Sequence, residues 1–383
     1  MLQHAIFVLG LVLAIAPLAY TVAAICVLRA WTRRRIPAAD VLPPVTILKP
    51  LCGLEPELYE NLCTFCRQDY PHFQLVFGVR HAGDAAVPVV RRLMAEFPGL
   101  DLRLVVNDRV IGSNYKVSNL ENMLPQACHP QLVIADSDIR VGPDYLRCVV
   151  GPLADPSVGV VTCLYRAQLR GSLWSRLGAL FINEWFVPSV LIARAFGSSA
   201  FTFGSTIALR RQVLEDIGGF RALASHLADD YMLGALARRR GLRTVLSPYV
   251  VETVVDEPGP GVLLAHELRW ARTIRVVQPW GYAGLWMTHA VPAAIIGSAL
   301  IHSLPWAAVL PLLAIGLRLV LHYAARTSLG LSGPTVAWLV PFRDILSFVI
   351  WFGSFLGRRV TWRERKLAVQ LGGLMQVDKE SLR

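Results

Sequence analysis

Charge is what this chain has least of. Of its 383 residues only 17% are charged and 54% are hydrophobic, against roughly 25% charged in an average soluble domain. The mean hydropathy is +0.47. That balance excludes a wholly soluble globular protein and leaves a membrane protein with a water-soluble part. Cysteine is scarce and unpaired. The count is 7, an odd number, and Cys63 and Cys66 form a lone C-x-x-C with no second pair at zinc spacing. A disulfide framework is thereby excluded, the lone pair reads as packing on an amphipathic helix, and the soluble part belongs in a reducing compartment. Acidic residues are outnumbered, 27 against 38 basic ones, for a net charge of +11. No finger, helix-turn-helix or RNA-binding motif accompanies that excess. It therefore points to anionic lipid headgroups or a phosphorylated substrate, and not to nucleic acid.

What the chain does have is long apolar runs. Residues 5–28 carry no charge, enough to cross a bilayer, which takes about 20 residues. No positive segment precedes the run, as a cleaved signal peptide would require, and Arg29, Arg33, Arg34 and Arg35 follow it. The positive-inside rule then sets the N-terminus outside and residue 30 onward in the cytoplasm. A second charge-free run, 281–317, is interrupted by Pro305 and predicts two helices with a tight turn at HSLP (302–305). A third, 335–356, is split by Arg343 and Asp344. One crossing before the soluble part and two after it already bring the basic tail (Arg358, Arg359, Arg363, Arg365, Lys366) to the cytoplasmic side. The stretch 335–356 is accordingly expected to be re-entrant or interfacial. Two further segments have the look of a membrane surface: 172–196, for which ordinary core packing is an equal alternative, and 260–282, where Trp270, Trp280 and Tyr282 stand among arginines.

Between about 43 and 253 the pattern changes to short β-branched runs alternating with helical ones. VTIL (45–48), LVFGV (75–79), LRLVV (102–106) and LVIA (132–135) read as strands, and 55–67, 85–97 and 117–123 as helices. The alternation predicts an α/β fold with a parallel sheet. The domain boundaries that follow are 1–30 for an N-terminal transmembrane helix, 43–258 for a cytoplasmic catalytic domain, 259–282 for an amphipathic interfacial segment, and 283–383 for a C-terminal membrane region and basic tail.

In α/β sheets ligands bind beyond the carboxyl ends of the strands. There the stretch VIADSDIR sets Asp136 and Asp138 side by side. Two neighbouring carboxylates are either a solvated turn or a site for Mg2+ or Mn2+, which take one or two carboxylates plus substrate phosphates. Upstream, GSNYKVSNL (112–120) gathers Asn114, Lys116 and Asn119 into an amide-rich loop with one cation, suited to a phosphate or sugar. Downstream, LADDY opens a helical pattern with Asp229 and Asp230 in its first turn. The helix dipole favours ionised carboxylates there, so the pair is either simple charge complementation or the source of a general base. In HELRWARTIR (266–275), Arg269 adjoins Trp270 and is followed by Arg272 and Arg275. Such a segment either neutralises a diphosphate or lies on a membrane surface.

Taken in order, these motifs resemble the lipid-modifying inverting glycosyltransferases of the GT-A (Rossmann-like) fold, and most of all the ceramide glucosyltransferase group, glycosyltransferase family 21. That group includes bacterial hopanoid-biosynthesis glycosyltransferases. Its pattern of three aspartate sites followed by (Q/R)-x-x-R-W is met by Asp84 in HAGDAAV, Asp136 and Asp138 in ADSD, Asp229 and Asp230 in LADDY, and Arg269 and Trp270 in HELRW. ILKPLCG (47–53), SNYKVSNL (113–120) and DSDIRV (136–141) match as well, so the likeness covers about 43–280. His266 departs from it, standing where the family has Gln or Arg.

The resemblance implies a GT-A domain with one N-terminal and two to three C-terminal transmembrane or interfacial helices. It also implies transfer of a sugar from a UDP-sugar to a lipid hydroxyl. Asp230 would be the base, with Arg269 and Trp270 at the catalytic site. Asp84, Asn114, Lys116, Asp136, Asp229 and His266 would bind the donor, and Asp136 and Asp138 would hold Mg2+ or Mn2+. The expected reaction joins N-acetylglucosamine from UDP-N-acetylglucosamine to a hopanoid polyol in a bacterial inner membrane. Glucosylation of ceramide from UDP-glucose and a polysaccharide synthase are the alternatives.

Overall fold

The computed structural model describes residues 1–32, 34, 42–301 and 304–357, with the strands Arg359–Trp362, Arg365–Val369 and Met375–Val377 as backbone. The chain divides into two compact units. A sheet unit comprises Arg34–Tyr165 and Ser198–Val254, and a helix unit comprises Met1–Arg33, Arg166–Gly197 and Val255–Arg383. Residues 166–197 fall inside the 43–258 stretch, yet they cluster with the helix unit. Their apolar helices Leu173–Phe181 and Val187–Ala195 have the composition of that unit.

The sheet unit is built on eight strands: β1 (Val45–Pro50), β2 (Phe73–Val79), β3 (Asp101–Val106), β4 (Gln131–Ile134), β5 (Ile139–Arg140), β6 (Val158–Ala167), β7 (Ile207–Arg210) and β8 (Arg243–Thr253). Their order is β3-β2-β1-β4-β7-β6-β8-β5. The four strands read from sequence pair in parallel, β3 with β2, β2 with β1 and β1 with β4. From β7 onward the pairing is antiparallel, in β4/β7, β6/β7 and β5/β8. The sheet is therefore mixed, and only half of it is the parallel sheet expected. Parallel pairing requires a crossover connection, usually a helix packed on the sheet. Between β6 and β7 the chain instead runs through 166–197, which belongs to the other unit.

Both faces of the sheet are covered, as the near-continuous apolar strands demand. Period-two alternation sorts their side chains. Val45, Ile47, Leu75, Phe77 and Val133 enter one core, and Leu48, Val76, Leu132 and Ile134 enter the other. The helix Leu58–Cys66 packs on the first of these cores through Leu62, Cys63, Phe65 and Cys66. Its two cysteines are free and buried. Burial pushes the Cys66 thiol up to about 12, which removes it from metal or redox chemistry at neutral pH.

Among the described residues the helix unit holds four helices long and apolar enough to cross a membrane: Leu2–Trp31, Leu173–Ala195, Pro305–Ser328 and Ala337–Ser354. A fifth apolar pair, Pro279–Thr288 and Ala290–Ile301, is bent by 75°. The stretch 335–356, expected to be re-entrant or interfacial, thus contains a helix of crossing length. The turn expected at HSLP falls on His302 and Ser303, which lie outside the described residues. Leu2–Thr32 and Ala290–Ile301 meet through glycines: a Cβ on Gly10 would come 2.8 Å from the Gly297 carbonyl oxygen, and one on Gly297 would come 2.6 Å from that of Gly10. Between apolar helices, close approach of this kind supplies packing that solvent exclusion does not.

Candidate active site

β4 ends at Ile134, and Asp136, Ser137 and Asp138 form the turn beyond it. The turn is fixed from several sides. The Asp136 N–H donates to the Gly204 carbonyl (3.3 Å) and the Val254 N–H to the Asp138 carbonyl (3.1 Å). Ser137 donates to Glu55, and the Thr253 hydroxyl donates to Asp138 Oδ2 at 2.6 Å. Lys49, at the end of β1, is fully buried. Its ammonium donates to the Asp136 carbonyl at 2.5 Å and lies 3.8 Å above the Phe65 ring. Burial draws the Lys49 pKa down to about 7, against the pull of Asp138, Asp136 and Glu55.

Lys116 joins the second aspartate site to the third. Its Nζ lies 2.5 Å from Asp136 Oδ1 and 3.8 Å from Asp229 Oδ2. Burial alone would lower its pKa, but Asp136 and Asp229 overcome that and raise it. Asn114 caps the helix Tyr115–Met123 by accepting from the Val117 N–H at 3.1 Å, the usual service of Asn at a helix start. Its amide nitrogen donates to Asp229 Oδ1 at 3.2 Å. Asp230 follows in the first turn of the helix Asp229–Arg239, and its Oδ2 accepts from the Gly204 N–H at 3.0 Å.

Gly204 is the common neighbour. A Cβ there would lie 2.7 Å from Asp136 Oδ2 and 3.1 Å from Lys116 Nζ, so the bare backbone is what lets these groups meet. Burial, then the charge of Asp229, raises the Asp230 carboxyl to about 6. Burial and Asp136 raise Asp138 to about 6 as well, and burial raises Asp229.

The first aspartate site also lies at the carboxyl ends of the parallel strands. Asp84 Oδ1 accepts from the Gly53 N–H, after β1, and from the Ala86 N–H, each at 2.9 Å. Asn119, expected with the phosphate or sugar loop, does other work. It is buried, and its amide donates to the carbonyl oxygens of Gly78 (2.7 Å) and Leu51 (3.4 Å), tying β1 to β2.

Arg269, Trp270 and His266 belong to the helix unit, on the helix Pro260–Val277. His266 Nδ1 lies 2.8 Å from Glu257 Oε1, and its ring tilts against Trp270 at a centroid distance of 4.3 Å. Trp270 also stacks with Phe181 at 6.0 Å. Between them Glu267 turns inward to a bidentate pair with Arg343, at 2.8 and 2.7 Å.

The sequence reading missed Lys49, Glu55, Gly204 and Thr253. Lys49 was discoverable, because a lysine inside a buried apolar strand needs a partner. Gly204 and Thr253 carry no local signal, since their roles depend on long-range pairing.

Among the described residues no group of three His, Cys, Asp or Glu is arranged to hold a metal ion by itself. Two carboxylates at a strand end fit an ion that also takes substrate phosphates. The mixed sheet that carries this turn has the GT-A fold. The solved mannosyltransferase of Pyrobaculum calidifontis, in complex with GDP-Man and Mn2+, shares this fold, with a TM-score of 0.55 at 21% identity over 91% of this chain and 99% of that one. The chain belongs to glycosyl transferase family 21, whose model matches residues 9–375, and is a glycosyltransferase. It is similar to ceramide glucosyltransferase 1 of Caenorhabditis elegans, 23% identical over 89% of this chain and 74% of that enzyme. It is also 23% identical to an N-acetylglucosaminyltransferase of Rhizobium leguminosarum bv. viciae, over 64% of this chain and 60% of that enzyme.

Proposed function

We propose that the protein transfers a sugar from a UDP-sugar to a lipid hydroxyl with inversion at the anomeric carbon. The donor is UDP-N-acetylglucosamine and the acceptor a hopanoid polyol, in a bacterial inner membrane with the sheet unit cytoplasmic. The observation that carries the reading is the junction at Gly204, which brings Lys116, Asp136 and Asp230 together. Asp230 takes the proton of the attacking hydroxyl, a role that needs a carboxylate ionised near neutral pH. Lys116 meets the donor diphosphate, Asp84 and Asn114 orient the nucleotide side, and Asp229 holds Lys116 in place. Asp136 and Asp138 would hold Mg2+ or Mn2+, and a divalent ion there would offset charge on the leaving diphosphate. Arg269, Trp270 and His266 keep the donor and catalytic roles that the resemblance implies.

The choice of N-acetylglucosamine is supported by the rhizobial relative, and the hopanoid by likeness to bacterial enzymes that build such lipids. The nematode relative favours a second reading, glucose transfer from UDP-glucose to ceramide. Incubating the purified full chain with UDP-N-acetylglucosamine, UDP-glucose and extracted lipids, with products read by mass, separates the two. A hopanoid heavier by one N-acetylhexosamine is expected. Glucosylceramide alone would transfer the conclusion to the second reading, and a released polymer would overturn both.

A further inference from the structure

Among the described residues the helix unit buries eight acidic, basic or histidine side chains: Glu184, Glu257, Glu267, His289, Arg318, His322, Arg343 and Asp344. Glu257 faces the half-buried His266, and six of the others pair off. Arg343 takes Glu267, Arg318 Nε lies 3.3 Å from Asp344 Oδ1, and His322 Nδ1 lies 2.5 Å from Glu184 Oε1.

His289 is the one left over. It is 1% exposed, and neither ring nitrogen has a hydrogen-bond partner. Glu184 Oε2 is likewise buried and unpartnered. Both residues stand at irregular points of their helices. His289 occupies the 75° bend between Pro279–Thr288 and Ala290–Ile301, and Glu184 sits in the widened turn Ile182–Phe186. Trp185 Nε1 donates to Thr288 Oγ1 at 2.6 Å, joining the two places. Arg318 reaches the Glu184 carbonyl at 3.3 Å, and Asp344 Oδ2 accepts from the Val291 N–H at 2.7 Å, so one neighbourhood contains them all. Broken helices and widened turns in membrane helices recur at binding sites, and buried polar atoms are satisfied in the great majority of cases.

We propose that this cluster binds the neutral, hydroxylated headgroup of the lipid acceptor, an inference that rests on the glycolipid reading above. His289 donates from one nitrogen and accepts at the other, and Glu184 Oε2 accepts a further hydroxyl proton. The two ring nitrogens diverge, so the lipid that fills them carries more than one hydroxyl. Each guanidinium faces a carboxylate, Arg343 through two hydrogen bonds to Glu267 and Arg318 as an ion pair 3.3 Å from Asp344 without an aligned hydrogen bond, which disfavours a lipid phosphate. The rings of Phe348 and Trp351, 5.8 and 5.9 Å from that of His289, present an apolar wall beside the polar atoms.

The test uses the full chain in nanodiscs. His289→Phe keeps a flat ring and removes both nitrogens, and His289→Gln keeps a donor and an acceptor. The acceptor KM should rise about tenfold in His289→Phe, the effect of one or two lost hydrogen bonds, and recover most of the way in His289→Gln. Donor KM and acceptor-free UDP-sugar hydrolysis should not change. An acceptor with acetylated hydroxyls should bind the wild type as weakly as it binds His289→Phe. His289→Leu serves as the apolar variant if the aromatic one does not fold. An unchanged acceptor KM in a folded apolar variant overturns the inference, as does tighter binding of a lipid phosphate than of a lipid alcohol. If the wild type glycosylates no lipid alcohol at all, the glycolipid reading itself falls. Failure at His289 alone leaves that reading standing.

Discussion

In the sheet unit the carboxylates of Glu55, Asp136, Asp138, Asp229 and Asp230 converge on two ammonium groups, Lys49 and Lys116. In the helix unit Glu267, Asp344 and Glu184 each have a partner of their own, in Arg343, Arg318 and His322. Both arrangements place charge away from water, which is unfavourable unless the charge is matched. The helix unit sets each of these three carboxylates against a partner of its own. The sheet unit leaves an excess of negative charge, and the result is visible in the carboxyls of Asp138, Asp229 and Asp230, all held above the usual carboxylate range. An uneven cluster of this kind is tolerated where function requires it. A cationic ligand, or a reaction that needs a carboxylate of raised basicity, gives it a use.

The largest effect should come from the surplus itself. Asp230→Asn keeps the size of the side chain and an oxygen for the Gly204 N–H. It should reduce kcat by about two to four decades while leaving the Kd for UDP-sugar little changed, as read by single-turnover kinetics and calorimetry. Full activity in Asp230→Asn would remove the base assignment and make the third aspartate site a helix-start charge like many others.

Stability should show the same contrast with opposite signs. Glu267→Gln leaves Arg343 buried without its carboxylate, a change worth roughly 3–5 kcal/mol. Asp138→Asn removes one of several mutually repelling carboxylates and should raise the denaturation midpoint of the detergent-solubilised protein, even as it removes the divalent-metal response. If both variants lower the midpoint alike, the two units do not differ in the way described.

Much of the sheet unit was legible because its signals are local. Alternating apolar strands and the carboxylate pairs at their ends can be read within windows of ten residues. The helix Asp229–Arg239 opens with its acids in the first turn as read, whereas Asn114, read as part of a polar loop, starts the helix Tyr115–Met123. The antiparallel half was not legible, because β7 follows a segment that the other unit claims. Gly204 was hidden for a related reason: its importance lies in the absence of a Cβ beside Asp136 and Lys116, residues 68 and 88 positions away by chain number. Arg343 and Asp344 split the apolar run 335–356 when read alone. Their partners, Glu267 and Arg318, lie on other helices, and pairing is what permits charges in such a helix.

A smaller effect tests the turn that carries Asp138. Thr253→Val removes the hydroxyl that orients Asp138 and leaves both carboxylates in place. Loss of a partner that orients a metal-binding side chain typically weakens affinity about 10- to 100-fold. A Mn2+ titration followed by electron paramagnetic resonance should show a loss in that range, and chelator should abolish turnover until Mg2+ or Mn2+ is returned. Unchanged Mn2+ affinity would make the Thr253 contact a feature of the fold alone.

The smallest predicted effect concerns pH and separates the causes acting on Asp230. A general base works only when ionised, so a carboxyl raised to about 6 gives a rate that falls as pH drops through about 6 and levels off above it. Burial is the largest cause of the rise and the charge of Asp229 the next, while Lys116 opposes both. Asp229→Asn removes a repelling neighbour, so the Asp230 carboxylate becomes easier to keep and the acid limb of kcat against pH should move to lower pH. The limb should nonetheless stay above the range of a free aspartate, because burial remains. A limb that moves upward would mean that Asp229 acts chiefly by holding Lys116 near Asp230, with the loss of that cation outweighing the relief of repulsion.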